Sequence, residues 1–340
     1  MTTTYKSLLD RKTTETAIQQ VKDTFAAELA KRLQLTKVSA PLMVLKGTGI
    51  NDDLNGTERA VSFPIKALDE QRAEVIHSLA KWKRVRLKEL KIPAGQGLYT
   101  NMHALRPDED LTPIHSIFVD QWDWEKHITG EERTLAYLKN TVKAIYEALK
   151  VTEQCIHQLY EDITPVLPDE ITFIHAEDLQ REYPELTPKE REHEAALKYG
   201  AIFLIGIGGD LPGGKPHDGR APDYDDWTTP THADYKGLNG DIIVWNPILE
   251  IAFELSSMGI RVDKAALTRQ LTLARCEERA ILHFHKSLLD GLLPQSIGGG
   301  IGQSRVCMFM LRKAHIGEVQ VSIWPEKLKE ELQEEGIELL

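Results

Sequence analysis

Apolar residues recur at helical spacing in two long segments of the chain. Positions three and four residues apart lie on one face of an α-helix, so each segment predicts an amphipathic helix with one buried stripe. The first stripe consists of Ile18, Val21, Phe25, Leu29 and Leu33, and the second of Leu135, Leu138, Val142, Ile145 and Leu149.

Short apolar runs between turn residues predict strands in much of the remaining chain. Val38–Leu45 is predicted as a short strand, and its Pro41 suits an edge or an interface. Residues 61–125 alternate as antiparallel strands do, with 114–125 as a central strand. Further strands are predicted at Ala201–Ile207, Asp241–Trp245 and Phe253–Val262.

Capping signals place two later helices. Thr187-Pro-Lys-Glu190 is a capping box with proline at the first helical position, and Gly200 ends that helix. Asp263 is predicted to cap another helix. Strands and helices come in separate runs, without repeats or long linkers. We therefore expect an α+β fold, a mainly antiparallel sheet flanked by helices, with residues 1–340 as one domain.

Composition narrows the class of protein. The formal net charge is −11, from 41 Lys and Arg against 52 Asp and Glu, which argues against a nonspecific nucleic-acid binder. The three cysteines are widely spaced, which suits a reducing compartment and offers no structural zinc site. The N-terminus lacks the apolar core of a signal peptide, and no apolar run is long enough to span a membrane. We expect a cytoplasmic protein without membrane or nucleic-acid partners.

The segment from Pro294 to Arg305 holds a cluster of glycines, Gly298, Gly299, Gly300 and Gly302. Without a Cβ atom, such backbone can approach a flat ligand closely. The cluster leads into an apolar stretch, residues 306–311, that fits either a helix or a buried strand. The guanidinium of Arg305 is able to stack on a base and to reach a polyphosphate, and Arg106 adds a second arginine far upstream.

Three other motifs have simpler interpretations. Gly209–Lys215 fits a P-loop pattern, but Pro216 supplies no hydroxyl for magnesium and no helix is predicted after it, so we interpret it as a glycine-rich loop. The basic run Lys81–Lys91 is typical of a solvated helix face, although it also fits a nucleic-acid surface or a single inward-pointing Lys83. His283 and His285 are predicted on a strand and lack a third metal ligand.

Two acidic residues interrupt predicted strands, Asp241 and Glu254. A buried carboxylate requires a nearby cation, and Mg²⁺ takes one or two carboxylates together with phosphate oxygens. Spacing alone leaves open whether both side chains face solvent. With Arg106, Arg305 and the glycine cluster they describe a site for nucleotidyl transfer, in which cations neutralise the phosphate under attack.

Seven motifs in this order resemble the ammonia-dependent asparagine synthetases (aspartate–ammonia ligases), relatives of the catalytic core of class II aminoacyl-tRNA synthetases. The resemblance covers nearly the full length of the chain. The motifs are Asn51–Gly56, His77–Arg84, Leu105–Asp110, Val119–Glu125, Arg220–Asp226, Phe253–Arg261 and Gly298–Arg305.

The resemblance implies a class II synthetase-like core and a homodimer, formed through the first helix and the Pro41 strand. It also implies a reaction in two steps. The β-carboxylate of L-aspartate attacks the α-phosphate of Mg·ATP, giving β-aspartyl-AMP and pyrophosphate. Ammonia then attacks the activated carbonyl and releases asparagine and AMP.

Residue roles follow from the same resemblance. Arg106 is expected to bind the α-phosphate, Arg305 the adenine and distal phosphates, and Asp241 and Glu254 the Mg²⁺. Asp52 and Gln121 are expected near the amide product, where Asp52 orients ammonia or accepts its proton. Either Asp123 or Asp225 meets the ammonium of the amino acid. The residues expected around aspartate are Ser78, Lys83, Gln121, Asp123, Asp225, Ser257 and Arg261.

Free ammonia is the expected nitrogen donor. Residue 2 is Thr2, whereas glutamine-dependent synthetases expose a cysteine there, and no cysteine has an evident His or Asp partner in sequence. Two alternatives stay open. The first is an aminoacyl-tRNA synthetase, for which the chain lacks room for an anticodon-binding domain. The second is a noncatalytic binder that keeps the adenylate pocket.

Overall fold

Long helices and one large sheet make up most of the protein. The computed structural model describes residues 5–51 and 59–340. Helices α1 to α9 in these residues are Arg11–Leu33, Ala80–Glu89, Leu135–Leu159, Ala176–Glu182, Pro188–Tyr199, Lys264–Leu273, His283–Leu289, Gln303–Met310 and Glu326–Glu334. Short 3₁₀ turns occur at Lys66–Leu68, Glu277–Ile281 and Ile316–Glu318.

Eleven strands in the described residues form two sheets. Strands β1 to β11 are Leu35–Lys37, Met43–Leu45, Ser62–Ile65, Gln71–Val75, Gly97–Leu105, Phe118–His127, Thr172–His175, Ala201–Ile205, Asn239–Asn246, Ile251–Ile260 and Ser296–Gly302. The large sheet has the order β1-β5-β6-β11-β10-β9-β8-β7, and the small one β2-β4-β3. Only the two outermost pairs of the large sheet, β1 with β5 and β7 with β8, are parallel. The sheet is therefore mainly antiparallel.

The two predicted amphipathic helices cover one face of the large sheet. Phe25 of α1 packs against Trp122 of β6, with ring centroids 4.6 Å apart. The buried stripe of α3 includes Leu138, Val142 and Ile145. Helices α1, α3 and α8 meet over the sheet and form the main core with its apolar side chains. Burying a side chain of this size contributes about 1.5–3 kcal/mol, so this layer supplies much of the stability.

The opposite face of the central strands carries polar side chains. Strand β11 lies between β6 and β10, and its Gly300 is the register partner of Asp123 on one side and of Ser257 on the other. Because side chains alternate between faces, Gln121, Asp123 and Glu125 share one face of β6. A strand of glycines at the centre of the sheet thus leaves an open floor between two polar strands.

Most of the predicted elements are confirmed. The α+β class, both amphipathic helices, the capping box at Thr187 and the Asp263 cap are present. Residues 306–311 fall largely in α8, which settles the helix against the strand for that stretch. The Gly209–Lys215 segment is followed by turns and bends rather than a helix. No helix within the described part of the chain has the length and apolar character needed to cross a membrane.

Two predictions about strands are wrong. Val38–Leu45 is not one strand: residues 38–42 separate β1 from β2, and Pro41 lies in this connection. His283 and His285 lie in helix α7. A short apolar run fits both kinds of structure, and here packing of Phe284 and Leu288 into a satellite core favours the helix.

Candidate active site

A cavity of about 520 Å³ opens on the polar face of the large sheet. Its walls come from β6, β10 and β11, from α2, and from the connections around Arg106 and Arg220. Thirteen sequence-predicted residues line it: Ser78, Lys83, Arg106, Gln121, Asp123, Asp225, Glu254, Ser257, Arg261, Gly299, Gly300, Gly302 and Arg305. Gly298 and Asp241 lie beside the cavity without lining it, and Asp52 falls outside the described residues.

Lys83 and Asp123 form a buried ion pair on the floor of the cavity. The ammonium of Lys83 donates to Oδ1 of Asp123 and, at 3.0 Å, to the carbonyl oxygen of Gly299. Burial lowers the pKa of Lys83 and raises that of Asp123. Oδ2 of Asp123 is buried and has no hydrogen-bond partner among the described residues, which leaves one acceptor open to a ligand.

Arg261 holds two carboxylates at once. Its Nη2 and Nε donate to Glu125 at 2.8 and 3.1 Å, and its Nη1 donates to Asp225. All three side chains are at most 2% exposed. Burial raises the pKa of Asp225. Burial opposes ionisation of Glu125 too, but the charge and hydrogen bonds of Arg261 outweigh it and lower the pKa of Glu125.

The glycines of β11 make room for these side chains. A Cβ atom at residue 298 would overlap the carboxylate of Glu125 and lie 2.6 Å from Nη2 of Arg261. A Cβ atom at residue 300 would overlap the side-chain amide of Gln121. Gly298 therefore accommodates the Glu125–Arg261 pair, a role that the glycine cluster alone did not reveal.

Arg305 lies in the first turn of α8 and lines the cavity. Its Nη1 donates to the carbonyl oxygen of Glu254 at 3.0 Å, and its Nη2 donates to Nε2 of His115 at 2.8 Å. Burial, followed by the charge of Arg305, lowers the pKa of His115 to about 4. The imidazole is therefore neutral near pH 7 and able to accept the arginine proton. These contacts hold the guanidinium of Arg305 in the cavity wall.

Arg106 follows β5 and reaches the same cavity. Its backbone N–H donates to the carbonyl oxygen of Ile117 at 2.8 Å, which fixes the turn after the strand. Its side chain is 28% exposed and lies 3.7 Å from Glu109, a long ion pair. Such a weakly held guanidinium is available to a phosphate.

Two acidic residues on adjacent strands are suitable for a divalent cation. Asp241 on β9 pairs with Arg220, and Glu254 on β10 lies 3.8 Å from Arg305. Oδ1 of Asp241 is buried and has no hydrogen-bond partner within residues 5–51 and 59–340. Burial, with the nearby charge of Glu254, raises the pKa of Asp241 to about 6. No cluster of three or more His, Cys, Asp or Glu side chains able to hold a metal occurs in the described residues. Two carboxylates fit Mg²⁺ when phosphate oxygens complete its ligand shell.

Comparison with known proteins identifies the family of this chain. Residues 12–336 match the family model described as aspartate–ammonia ligase. The chain belongs to this family. It is 55% identical to an aspartate–ammonia ligase of Parabacteroides distasonis and 56% identical to one of Bacteroides thetaiotaomicron, in each case over 99% of this chain and 97% of the relative. The aspartate–ammonia ligase of Clostridium perfringens strain 13 is also 56% identical over the same shares.

Solved structures similar to this aspartate–ammonia ligase family member are class II aminoacyl-tRNA synthetases. The asparaginyl-tRNA synthetase of Pyrococcus horikoshii, complexed with asparaginyl-adenylate, has a TM-score of 0.66 at 15% identity and is matched over 92% of this chain and 70% of its own. The Entamoeba histolytica enzyme, also with asparaginyl-adenylate, has a TM-score of 0.64 at 14% identity over 91% and 66%. These likenesses confirm the predicted fold.

Glu125, Arg220 and His115 contact predicted site residues but were not themselves predicted as site residues. The sequence does carry a signal for Glu125, because Gln121, Asp123 and Glu125 alternate along one strand and so share a face. Arg220 belongs to the Arg220–Asp226 motif, but its partner Asp241 is 21 residues away in the chain. Nothing near His115 in the sequence signals its contact with Arg305.

Proposed function

We propose that this member of the aspartate–ammonia ligase family makes L-asparagine from L-aspartate and ammonia, with ATP cleaved to AMP and pyrophosphate. Besides family membership, one structural observation supports the proposal. A single cavity holds a zwitterionic floor, built on Lys83, Asp123 and Arg261, next to the partly exposed guanidinium groups of Arg106 and Arg305. An amino acid with two carboxylates suits the floor, and a triphosphate suits the arginines.

In the first step a β-carboxylate oxygen of aspartate forms a bond to the α-phosphorus of ATP. The bond from that phosphorus to the bridging oxygen of the β-phosphate breaks, and pyrophosphate leaves with the electron pair. Arg106 neutralises charge on the α-phosphate, and Arg305 holds the adenine and the outer phosphates. Lys83, Asp123, Asp225 and Arg261 position the amino acid, with Ser78 and Ser257 completing the wall. Positioning and charge neutralisation account for most catalysis of this kind.

A magnesium ion is part of this proposal. Asp241 and Glu254 would hold it, since they offer hard oxygen ligands beside the phosphate-binding arginines. When bound, Mg²⁺ neutralises phosphate charge. Asp241 is paired with Arg220 in this structure, so that arginine must share or release the carboxylate.

In the second step the nitrogen of ammonia attacks the carbonyl carbon of the adenylate, and AMP leaves as the carbon–oxygen bond breaks. The attacking nitrogen must lose a proton to give a neutral amide. We assign the amide end of the product to Gln121, whose side chain lies against Gly300 on the cavity floor. Asp52 is proposed as the group that orients ammonia or accepts its proton.

We also propose that the protein is a cytoplasmic homodimer and that each subunit consists of one catalytic domain. All three cysteines are free, as expected in a reducing compartment. The connection and strand after β1 expose Leu42, Met43 and Leu45, apolar side chains that a second subunit would cover. Sedimentation equilibrium tests the dimer, and the variant Met43→Asp is expected to weaken it.

The test of function is AMP release from Mg·ATP and L-aspartate, measured with ammonium, glutamine or tRNA in parallel reactions. We expect AMP and asparagine in equal amounts with ammonium alone, and no stimulation by glutamine. Transfer of labelled amino acid to tRNA without ammonium-dependent AMP would identify a tRNA synthetase instead. Binding of ATP without turnover in any reaction would identify a noncatalytic binder.

A further inference from the structure

Asp223 lies at the centre of a buried polar cluster behind the cavity. Its Oδ2 accepts hydrogen bonds from Nε2 of His285 at 2.9 Å and from Nζ of Lys81 at 3.2 Å, and Arg279 approaches it at 3.5 Å. The side chains of Asp223 and His285 are fully buried, and that of Lys81 is 3% exposed. The proposed chemistry uses none of these residues, although burying so many charged groups is costly.

Each arm of the cluster ends close to a residue of the aspartate-binding floor. Lys81 lies on α2 two positions before Lys83, and Asp223 lies two positions before Asp225. Two residues correspond to about 200° of rotation in an α-helix, so the two lysines extend from nearly opposite sides of α2. Lys83 ties one side of the helix to β6 and β11, and Lys81 ties the other side to Asp223.

Helix α7 supports the cluster from outside. His285 donates from this helix to Asp223, and Phe284 and Leu288 pack in a small core that also includes Val85 of α2 and Ile50. The 46–51 segment approaches α7 closely, since a Cβ atom at Gly49 would lie 2.9 Å from Cβ of Leu282. Helix α7 therefore contacts both α2, which carries Lys83, and the segment of Asp223 that leads to Asp225.

We propose that Asp223 and Lys81 are positioning residues for aspartate binding. Their ion pair sets the rotation of α2 and so the position of the Lys83 ammonium opposite Asp123 and Asp225. A rotation of about 10° would move a group about 6 Å from the helix axis by about 1 Å. Arg84 separately anchors α2 through the carbonyl oxygens of Pro294 and Val262, at 2.8 and 2.7 Å. Loss of Lys81 should therefore turn the helix without releasing it.

The experiment compares the wild-type protein with Lys81→Met, which keeps the aliphatic stem and removes the ion pair. KM for aspartate is expected to rise about tenfold or more, because misplacement by about 1 Å weakens a preorganised site substantially. KM for ATP should stay within about twofold, since the arginines that bind it lie on other elements. A folded Lys81→Met protein with the KM of the wild type for aspartate overturns the proposal.

Glu153→Gln is the matched control. It breaks a buried ion pair of similar exposure, Glu153 with Arg312 at 2.8 Å, on a helix that does not line the cavity. If this variant raises KM for aspartate as much as Lys81→Met does, the effect is general loosening and the proposal fails. Should Lys81→Met not fold, Lys81→Gln replaces it under the same criteria.

This inference rests on the proposed function, but different experimental results would overturn the inference and the proposed function. Absence of ammonium-dependent AMP in the wild-type protein overturns the proposed function. A fully active wild-type protein with an unaltered Lys81→Met variant overturns only the positioning role.

Discussion

Gly298 and Glu125 are register partners on two neighbouring strands, and a Cβ atom at residue 298 would overlap the carboxylate. Glu125 in turn holds Arg261 through Nε and Nη2. Arg261 thus has a fully buried counter-ion on one side, while Nη1 remains for Asp225 at the cavity wall. A missing side chain on β11 is therefore part of how the cavity floor is built.

Replacing Gly298 by alanine should disturb this pair. The added methyl would overlap the Glu125 carboxylate, so either the carboxylate or β11 must move. We expect a stability loss of about 1–3 kcal/mol, typical of overpacking, together with an increased KM for aspartate. Urea denaturation and steady-state kinetics measure the two effects. Gly130→Ala is the control, because a Cβ atom there has no neighbour within 4 Å. Equal behaviour of the two variants would contradict the assigned role.

Arg106→Ala should reduce adenylate formation by a factor of about 10²–10³, as expected when a group that neutralises developing charge is removed. The fold should persist, because the side chain is partly exposed and its one ion pair among the described residues is long. Aspartate-dependent exchange of labelled pyrophosphate into ATP measures this step alone. Arg86→Ala is a close control, since Arg86 also pairs with a Glu three residues later, at 2.9 Å. Unimpaired exchange in Arg106→Ala would remove Arg106 from the phosphate site.

Local patterns predicted the elements well, and the long-range contacts of the site lay beyond them. The periodicity of α1 and α3 and the capping box at Thr187 depend on neighbours within four residues, so the sequence displays them directly. Asp223, which accepts a hydrogen bond from Lys81, lies 142 residues away in the chain, so no spacing reveals this contact. The prediction of one strand over Val38–Leu45 is wrong because the apolar residues there do not show where the backbone leaves the sheet.

The family resemblance implied that the cavity residues share one site, whereas residue patterns alone indicated only parts of that site. Arg106, Arg305 and the glycine cluster indicated a nucleotide, and Asp241 with Glu254 indicated a cation. Nothing local distinguished Asp123 and Asp225, which contact Lys83 and Arg261, from ordinary surface acids. Their burial depends on the register of β6 with β11 and on the segment before β9, and both are properties of the assembled sheet.

Asp241→Asn should weaken binding of ATP in the presence of Mg²⁺ by about tenfold or more, because one of two anionic ligands is lost. Binding of ATP without metal should change little. Calorimetric titration with ATP, with and without Mg²⁺, separates these effects from turnover. Glu254→Gln is expected to act in the same direction. Asp218→Asn is the control, since Asp218 also lies near Arg220, at 3.8 Å. An unaltered magnesium dependence in both Asp241→Asn and Glu254→Gln would exclude them as ligands.

Acidification should destabilise the protein, because the folded state keeps two histidines in the neutral form. Burial lowers the pKa of His315 to about 4, and burial with the charge of Arg305 does the same for His115. Between pH 4 and the ordinary value of about 6.5, the unfolded chain binds more protons than the folded one. The free energy of unfolding therefore falls as the pH is lowered through this window, by up to about 1.4 kcal/mol per pH unit for each histidine.

His315→Asn isolates one of these contributions. Nδ1 of His315 accepts a hydrogen bond from the backbone N–H of Gly317 at 3.0 Å, and an asparagine side-chain oxygen is able to accept the same bond without titrating. The difference in unfolding free energy between pH 7 and pH 5, measured by urea denaturation, should be smaller in the variant than in the wild type. His283→Asn, at an exposed position of α7, should keep the wild-type difference. If His315→Asn keeps it as well, His315 is not a source of the acid sensitivity, because a neutral buried imidazole must contribute to it by proton linkage.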